Sequence, residues 1–104
     1  VSLIKTNQYD TIYHEHLRYY SLTSLKYFFS LLNLKIIDAK KIPTHGGSIR
    51  VSATRNRDLK PSKNVLKILK EEKKFLKIKR LKKFKDEVTL SKLKLSKLLL
   101  KLKP

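Results

Sequence analysis

Apolar residues at Leu22, Leu25, Phe28, Phe29 and Leu32 recur at spacings of three and four, which marks one face of an amphipathic helix over 21–34. Ser21 sits where a hydroxyl can accept from a first-turn amide, and Asn33 suits a left-handed helix end. Residues 35–42 read as a strand with Ile36 and Ile37 at its apolar start, closed by Pro43, which has no N–H to donate. Residues 48–54 alternate polar and apolar, the pattern of a half-buried strand. Gly46-Gly47 between them is a turn signal, so the two strands are expected to pair as an antiparallel hairpin. Pro61-Ser62 marks a boundary, and Ser62 is placed to cap a helix through Val65, Leu66, Ile68, Leu69, Phe75 and Leu76. From residue 77 the chain becomes lysine-leucine low complexity, helical by propensity but without a single apolar stripe. Residues 1–12 are mixed, with a turn at Asn7-Gln8-Tyr9-Asp10 and a β-prone look at Thr11-Ile12-Tyr13.

Charge divides the chain in two. Its 104 residues suffice for one small domain, and they carry a net charge of +18. Residues 1–59 hold nine Lys/Arg against four Asp/Glu, while residues 60–104 hold seventeen against four. Repulsion at that density opposes compaction of the tail. Clustered lysine is also an electrostatic footprint for nucleic acid or an anionic membrane surface, which is the alternative function for this chain. Single-strand recognition adds aromatic stacking platforms, and residues 60–104 contain only Phe75 and Phe84, so a solvated helix face accounts for the lysines more simply. With no cysteine, a disulfide framework and a thiolate zinc site are excluded, and a reducing, cytoplasmic setting is expected. No apolar run reaches transmembrane length, and residues 1–5 lack a signal-peptide layout. The chain contains no methionine, not even at its start, so it is expected either to have lost its start by processing or to be a piece of a longer polypeptide.

Candidate chemistry concentrates in Tyr13-His14-Glu15-His16. Histidine titrates near neutral pH and is the default proton acceptor, a carboxylate can orient it, and a tyrosine hydroxyl can donate to a developing negative charge. If the stretch is extended, His14 and His16 share one side and Tyr13 and Glu15 the other. A polar loop leading into the Ser21 cap explains the same residues equally well. A metal site is a third reading, with His45 as a further ligand. The zinc-protease spacing fails, because Arg18 stands where its second histidine belongs. No metal is expected. Thr44-His45-Gly46-Gly47-Ser48 allows close backbone approach to a ligand or a simple hairpin turn, and it lacks the lysine and glycine spacing of a phosphate loop.

Two ordered motifs with a helix between them carry a resemblance. Asp10-Thr11-Ile12-Tyr13-His14-Glu15-His16-Leu17, Tyr19-Tyr20-Ser21-Leu22-Thr23-Ser24-Leu25 and Pro43-Thr44-His45-Gly46-Gly47-Ser48-Ile49-Arg50-Val51 resemble the S-adenosylmethionine-dependent C-methyltransferases of nucleotide-linked keto-deoxysugars, of the type that methylates C3 in tetronitrose formation. The similarity runs from about Asn7 to Val65 and more loosely to Phe84. Complete members have a zinc-binding module, a Rossmann-like domain with a glycine-rich cofactor loop, and a C-terminal α/β domain. This chain has neither the cysteines nor that loop. The resemblance therefore implies an α/β fold: the C-terminal part of a Rossmann-like class I methyltransferase domain, helix plus β-hairpin at the sheet edge, over residues 1–59. A helical lysine/leucine-rich lead into a further domain would follow over 60–104. It implies catalytic roles for His16 as general base, Tyr13 near the reacting carbon or its oxygens, and Glu15 holding a sugar hydroxyl or orienting the site, with His14 and His45 as substrate-binding candidates. The enolate formed would attack the cofactor methyl group. S-adenosylmethionine is expected to bind in the missing N-terminal part, with no cofactor-binding residue here. The partners implied are the nucleotide-linked sugar and the protein's own missing halves, and the chain alone is expected to be inactive. Ser52-Ala53 departs from the aromatic frequent in the family's Arg-Val-Tyr run.

Overall fold

The helix after Ser21 starts on a local serine cap and ends on a local left-handed turn. In the computed structural model, which describes residues 1–103, the chain runs in order through eight elements. These are α1 (Ser2–Lys5), a 3-10 turn (Tyr9–Thr11), α2 (Leu22–Leu31), β1 (Lys35–Ile42), a second 3-10 turn (Thr44–Gly46), β2 (Ser48–Thr54), α3 (Lys63–Phe75) and α4 (Ile78–Leu102). Ser21 Oγ accepts from the Ser24 amide and Ser24 Oγ accepts from the Ser21 amide, each at 3.0 Å, a reciprocal cap with serine in the usual Glu/Gln place. At the other end Asn33 turns left-handed, with φ 56°. Its amide then donates to Ser30 O at 3.1 Å and that of Leu34 to Phe29 O at 2.9 Å.

The hairpin stands where the alternation placed it. β1 and β2 pair antiparallel, Ile36 opposite Ala53, Ala39 opposite Val51, Ile42 opposite Ser48. The register shifts between Ile36 and Asp38. This bulge answers a question the sequence leaves open. Ile36 and Ala39 are both buried although three positions apart, which a regular strand would send to opposite faces. The extra residue, Ile37, restores the phase, and its carbonyl accepts from the Ser62 amide at 2.8 Å. Ser62 does precede α3, but its hydroxyl donates to Asp38 Oδ1 at 2.6 Å instead of capping the helix.

The core lies where α2 and α3 meet β1. Leu22, Ile36, Ala39, Val65 and Ile68 are buried, with Leu25, Phe29, Ile49, Val51 and Leu69 packed around them. Only part of the expected α2 stripe takes part. Phe28 and Leu32, together with Tyr27 and Leu31, stay exposed, because α3 and β1 cover only the face of α2 that carries 22, 25 and 29. α4 is helical to Leu102, but beyond Ser91 every described residue is exposed. The free part of α4 extends the molecule to 66 × 28 × 22 Å.

Thr11-Ile12-Tyr13 is not a strand: Thr11 ends a 3-10 turn whose amides bond back to Gln8 and Tyr9. A lone β-prone triplet has no neighbouring strand to pair with, and the local turn satisfies its backbone instead.

Candidate functional site

Residues 1–11 connect the hairpin turn with the first part of α4. Gln8 Nε2 donates to Gly46 O at 3.0 Å, and Tyr9 and Ser91 share a hydroxyl hydrogen bond at 3.1 Å. Arg80 donates to Ile4 O at 3.2 Å from α4. The glycine turn is needed for this packing. Gly46 has φ +75° and a Cβ there would come within 2.5 Å of Gln8 Oε1; at Gly47, φ +118°, a Cβ would meet Ser2 Oγ at 2.9 Å. His45 beside them is left-handed as well, φ 50°, and exposed.

The Tyr13-His14-Glu15-His16 stretch is a turn, which overturns the extended alternation. The His16 amide donates to Tyr13 O at 2.9 Å. Tyr13 and His16, three apart, therefore meet, with ring centroids 4.3 Å apart, and Tyr13 Oη lies 3.3 Å from His16 Nε2. His14 and Glu15 occupy the tip, exposed, with 3.9 Å between His14 Nε2 and Glu15 Oε1. His16 Nδ1 lies 2.8 Å from the carbonyl oxygen of Thr11. A carbonyl can only accept, so Nδ1 carries a proton, and in the neutral ring Nε2 is bare and accepts from Tyr13.

An open cleft of about 860 Å³ brings the two motifs together. His16 and His45 both line it, with Arg18, Tyr19, Tyr20 and Lys41, and with an apolar lining from Leu25, Ile49, Ile68 and Leu76. Tyr13, His14 and Glu15 are not part of that lining. Tyr13 reaches the site only through His16. A second groove, about 440 Å³, runs along α2, β1 and α3, lined by Leu22, Leu34, Ile36, Val65, Leu66 and Leu69 with Lys26, Lys35 and Arg57.

Glu72 fixes the helix that follows the histidine turn. It is 2% exposed on α3, and its Oε1 accepts from the Leu22 amide at 2.6 Å. Its Oε2 accepts from the Thr23 amide at 2.8 Å and the Thr23 hydroxyl at 2.5 Å. With Ser21 on the Ser24 amide, the first-turn donors of α2 are taken, so this helix start offers no free anion site. Next to it, Lys41 donates to Glu71 in an ion pair, and that hydrogen bond holds the Glu71 carboxyl below its ordinary range against a smaller opposing push from burial. Among the described residues no three His, Asp or Glu side chains converge as a metal site.

Sequence reasoning missed Arg18, Tyr19 and Glu72. The signal for Glu72 was its phase, since it lies at the helical spacing set by Val65, Ile68 and Leu69 on the buried face. Tyr19 stood inside the motif run without a role.

Residues 43–104, from the hairpin turn through β2, α3 and α4, match the family described as C-methyltransferase C-terminal domain. The chain belongs to that family. It is also similar to C-methyltransferase NovU of Streptomyces niveus, 49% identical over 53 residues, which is 51% of this chain and 13% of that protein. The matched stretch thus covers about an eighth of that protein's length. Membership in a C-methyltransferase family does not favour the nucleic-acid or membrane-surface alternative for the basic tail. No helix among the described residues is long and apolar enough to cross a membrane.

Proposed function

We propose that this chain is the part of a cytoplasmic sugar C-methyltransferase that generates the carbon nucleophile, with His16 as the general base. The observation that carries this reading is the hydrogen bonding of His16. In the neutral ring Thr11 O holds Nδ1–H, so Nε2 is the accepting nitrogen, engaged by the Tyr13 hydroxyl, on a residue that lines the cleft. In this reading Nε2 takes the proton from the carbon beside the substrate ketone, and the electron pair of the broken C–H bond passes into the enolate. The Thr11 carbonyl stabilises the imidazolium that forms. The Tyr13 hydroxyl, released from Nε2, donates toward oxygen on the substrate. Arg18 puts positive charge in the cleft, which suits the diphosphate of a nucleotide-linked keto-deoxysugar, while the charge of Lys41 is already taken by Glu71. His45 contacts substrate from the opposite motif. His14 and Glu15 contribute only if the substrate extends over the exposed tip.

S-adenosylmethionine, the methyl donor implied by the family, does not fit the residues described. The glycine turn is filled by the chain's own Gln8 and Ser2 and leaves no cradle. The first turn of α2 is satisfied by Ser21 and Glu72. In this reading the cofactor site belongs to the rest of the molecule, as does the remainder of the Rossmann-like sheet that the hairpin would join. Residues 1–59 then close the methyltransferase domain and residues 60–104 lead into the next. The family match beginning at residue 43 crosses that line.

In the complete enzyme, His16→Gln is expected to lower turnover by about 10²–10⁴-fold, the usual worth of a positioned base. Solvent deuterium exchange at the carbon beside the ketone should be lost with it, while cofactor affinity is retained. Undiminished turnover would remove His16 from the mechanism. The chain by itself is expected to show no S-adenosylmethionine binding by calorimetry, and micromolar binding would place the cofactor site here after all.

A further inference from the structure

The histidine turn is held almost wholly by side chains. Among the described residues the one backbone hydrogen bond between Ile12 and Tyr20 that lies outside helices and strands is the His16 amide to Tyr13 O. The Thr11 carbonyl does the rest. It stands at the end of the 3-10 turn, accepts from His16 Nδ1–H at 2.8 Å, and accepts from the Tyr19 hydroxyl at 2.6 Å. A carbonyl oxygen has two lone pairs, and these two donors occupy both. The Tyr19 ring also stands edge-on to His16, centroids 6.2 Å apart and planes at 81°. Tyr19 therefore closes a loop of eight residues onto the same atom that orients His16.

We infer that Tyr19 and the Thr11 carbonyl form a positioning pair that holds the neutral His16 ring in its Nδ1–H tautomer. The inference deepens the reading of His16 as a base and rests on it for its functional meaning. Free imidazole side chains in water favour the opposite tautomer, with the proton on Nε2. A ring in that state would present a proton where the base needs a lone pair. By pinning the Thr11 carbonyl against Nδ1, Tyr19 raises the fraction of His16 able to accept from substrate. It does so from across the turn, with its hydroxyl on the carbonyl and not on substrate.

The test is tautomer assignment by long-range ¹H–¹⁵N correlation on the full chain labelled at histidine, at a pH where the rings are neutral. The wild-type chain is expected to show His16 mainly as Nδ1–H. Tyr19→Phe is expected to shift the majority to Nε2–H while the amide resonances of Leu22 and Thr23, held by Glu72, stay in place. Tyr27→Phe, which alters an exposed ring on α2, should leave the His16 signals unchanged. A wild-type His16 that is mainly Nε2–H overturns the inference, as does a Tyr19→Phe spectrum identical to wild type. No substrate takes part, so the outcome is independent of turnover. An active His16→Gln enzyme would end the catalytic reading and leave the tautomer result standing, and the reverse also holds.

Discussion

The histidine turn and the α2–β1–α3 core sit side by side and are held by different forces. The core is held by burial: Leu22 and Ala39 are fully buried, and Val65 is 2% exposed. The turn is mostly exposed and is held by hydrogen bonds that converge on one backbone carbonyl. Burial is non-directional and its loss is felt as lost stability. Hydrogen bonds set direction and contribute little net stability each. A molecule arranged this way can keep its site geometry under one kind of control and its fold under the other. Glu72 is the join, a core residue by position whose carboxylate anchors the helix that starts just after the turn.

The sharpest separation should come from Leu22→Ala, which removes the most buried side chain of the core and should cost roughly 2–5 kcal/mol, read by urea unfolding of the chain. A cost below 1 kcal/mol would mean that the core is not what holds α2. Glu72→Ala should come next, at about 1–3 kcal/mol, because it leaves the Leu22 and Thr23 amides without their partner. Its readout is amide exchange at those two residues, and protection equal to wild type would dissolve the join. His16→Ala should change the stability of the chain by less than about 1 kcal/mol, since it deletes two hydrogen bonds of a half-buried ring outside the core. A loss as large as that of Leu22→Ala would make the turn part of the fold. The smallest effect is electrostatic. Lys41 lowers the carboxyl of Glu71, so the pair adds stability above the ordinary carboxylate value and loses it as pH falls through the lowered one. Glu71→Gln should therefore reduce stability by about 0.2–1 kcal/mol at neutral pH and not at all in strong acid. An equal effect at both pH values would show that packing, not charge, is responsible.

Local chemistry made part of this legible beforehand. The serine cap, the 22–25–29 spacing, Asn33 and the two glycines each act within a few residues, and α2 and the hairpin appear where they place them. Phe28 and Leu32 misled, because helical spacing defines an apolar arc wider than the part this fold covers. The pairing of Tyr13 with His16 was hidden because an extended segment and a turn are equally compatible with Tyr-His-Glu-His, and they sort the side chains differently. Glu72 was hidden because a glutamate among lysines is normally solvated, and the amides it serves lie fifty positions away.

By itself, then, the sequence determined the Ser21 cap, the strands and their turn, the lysine-rich helical tail and the two histidine motifs, all through interactions between near neighbours in the chain. Only the tertiary structure decided which face of α2 is buried and that a bulge at Ile37 brings Ile36 and Ala39 into one core. It also decided that His16 and His45 line one cleft while His14 and Glu15 do not, and that Glu72 caps a distant helix. The physical reason is the same in each case. These outcomes depend on how rigid elements pack against one another, and packing joins residues whose separation along the chain carries no signal of their contact.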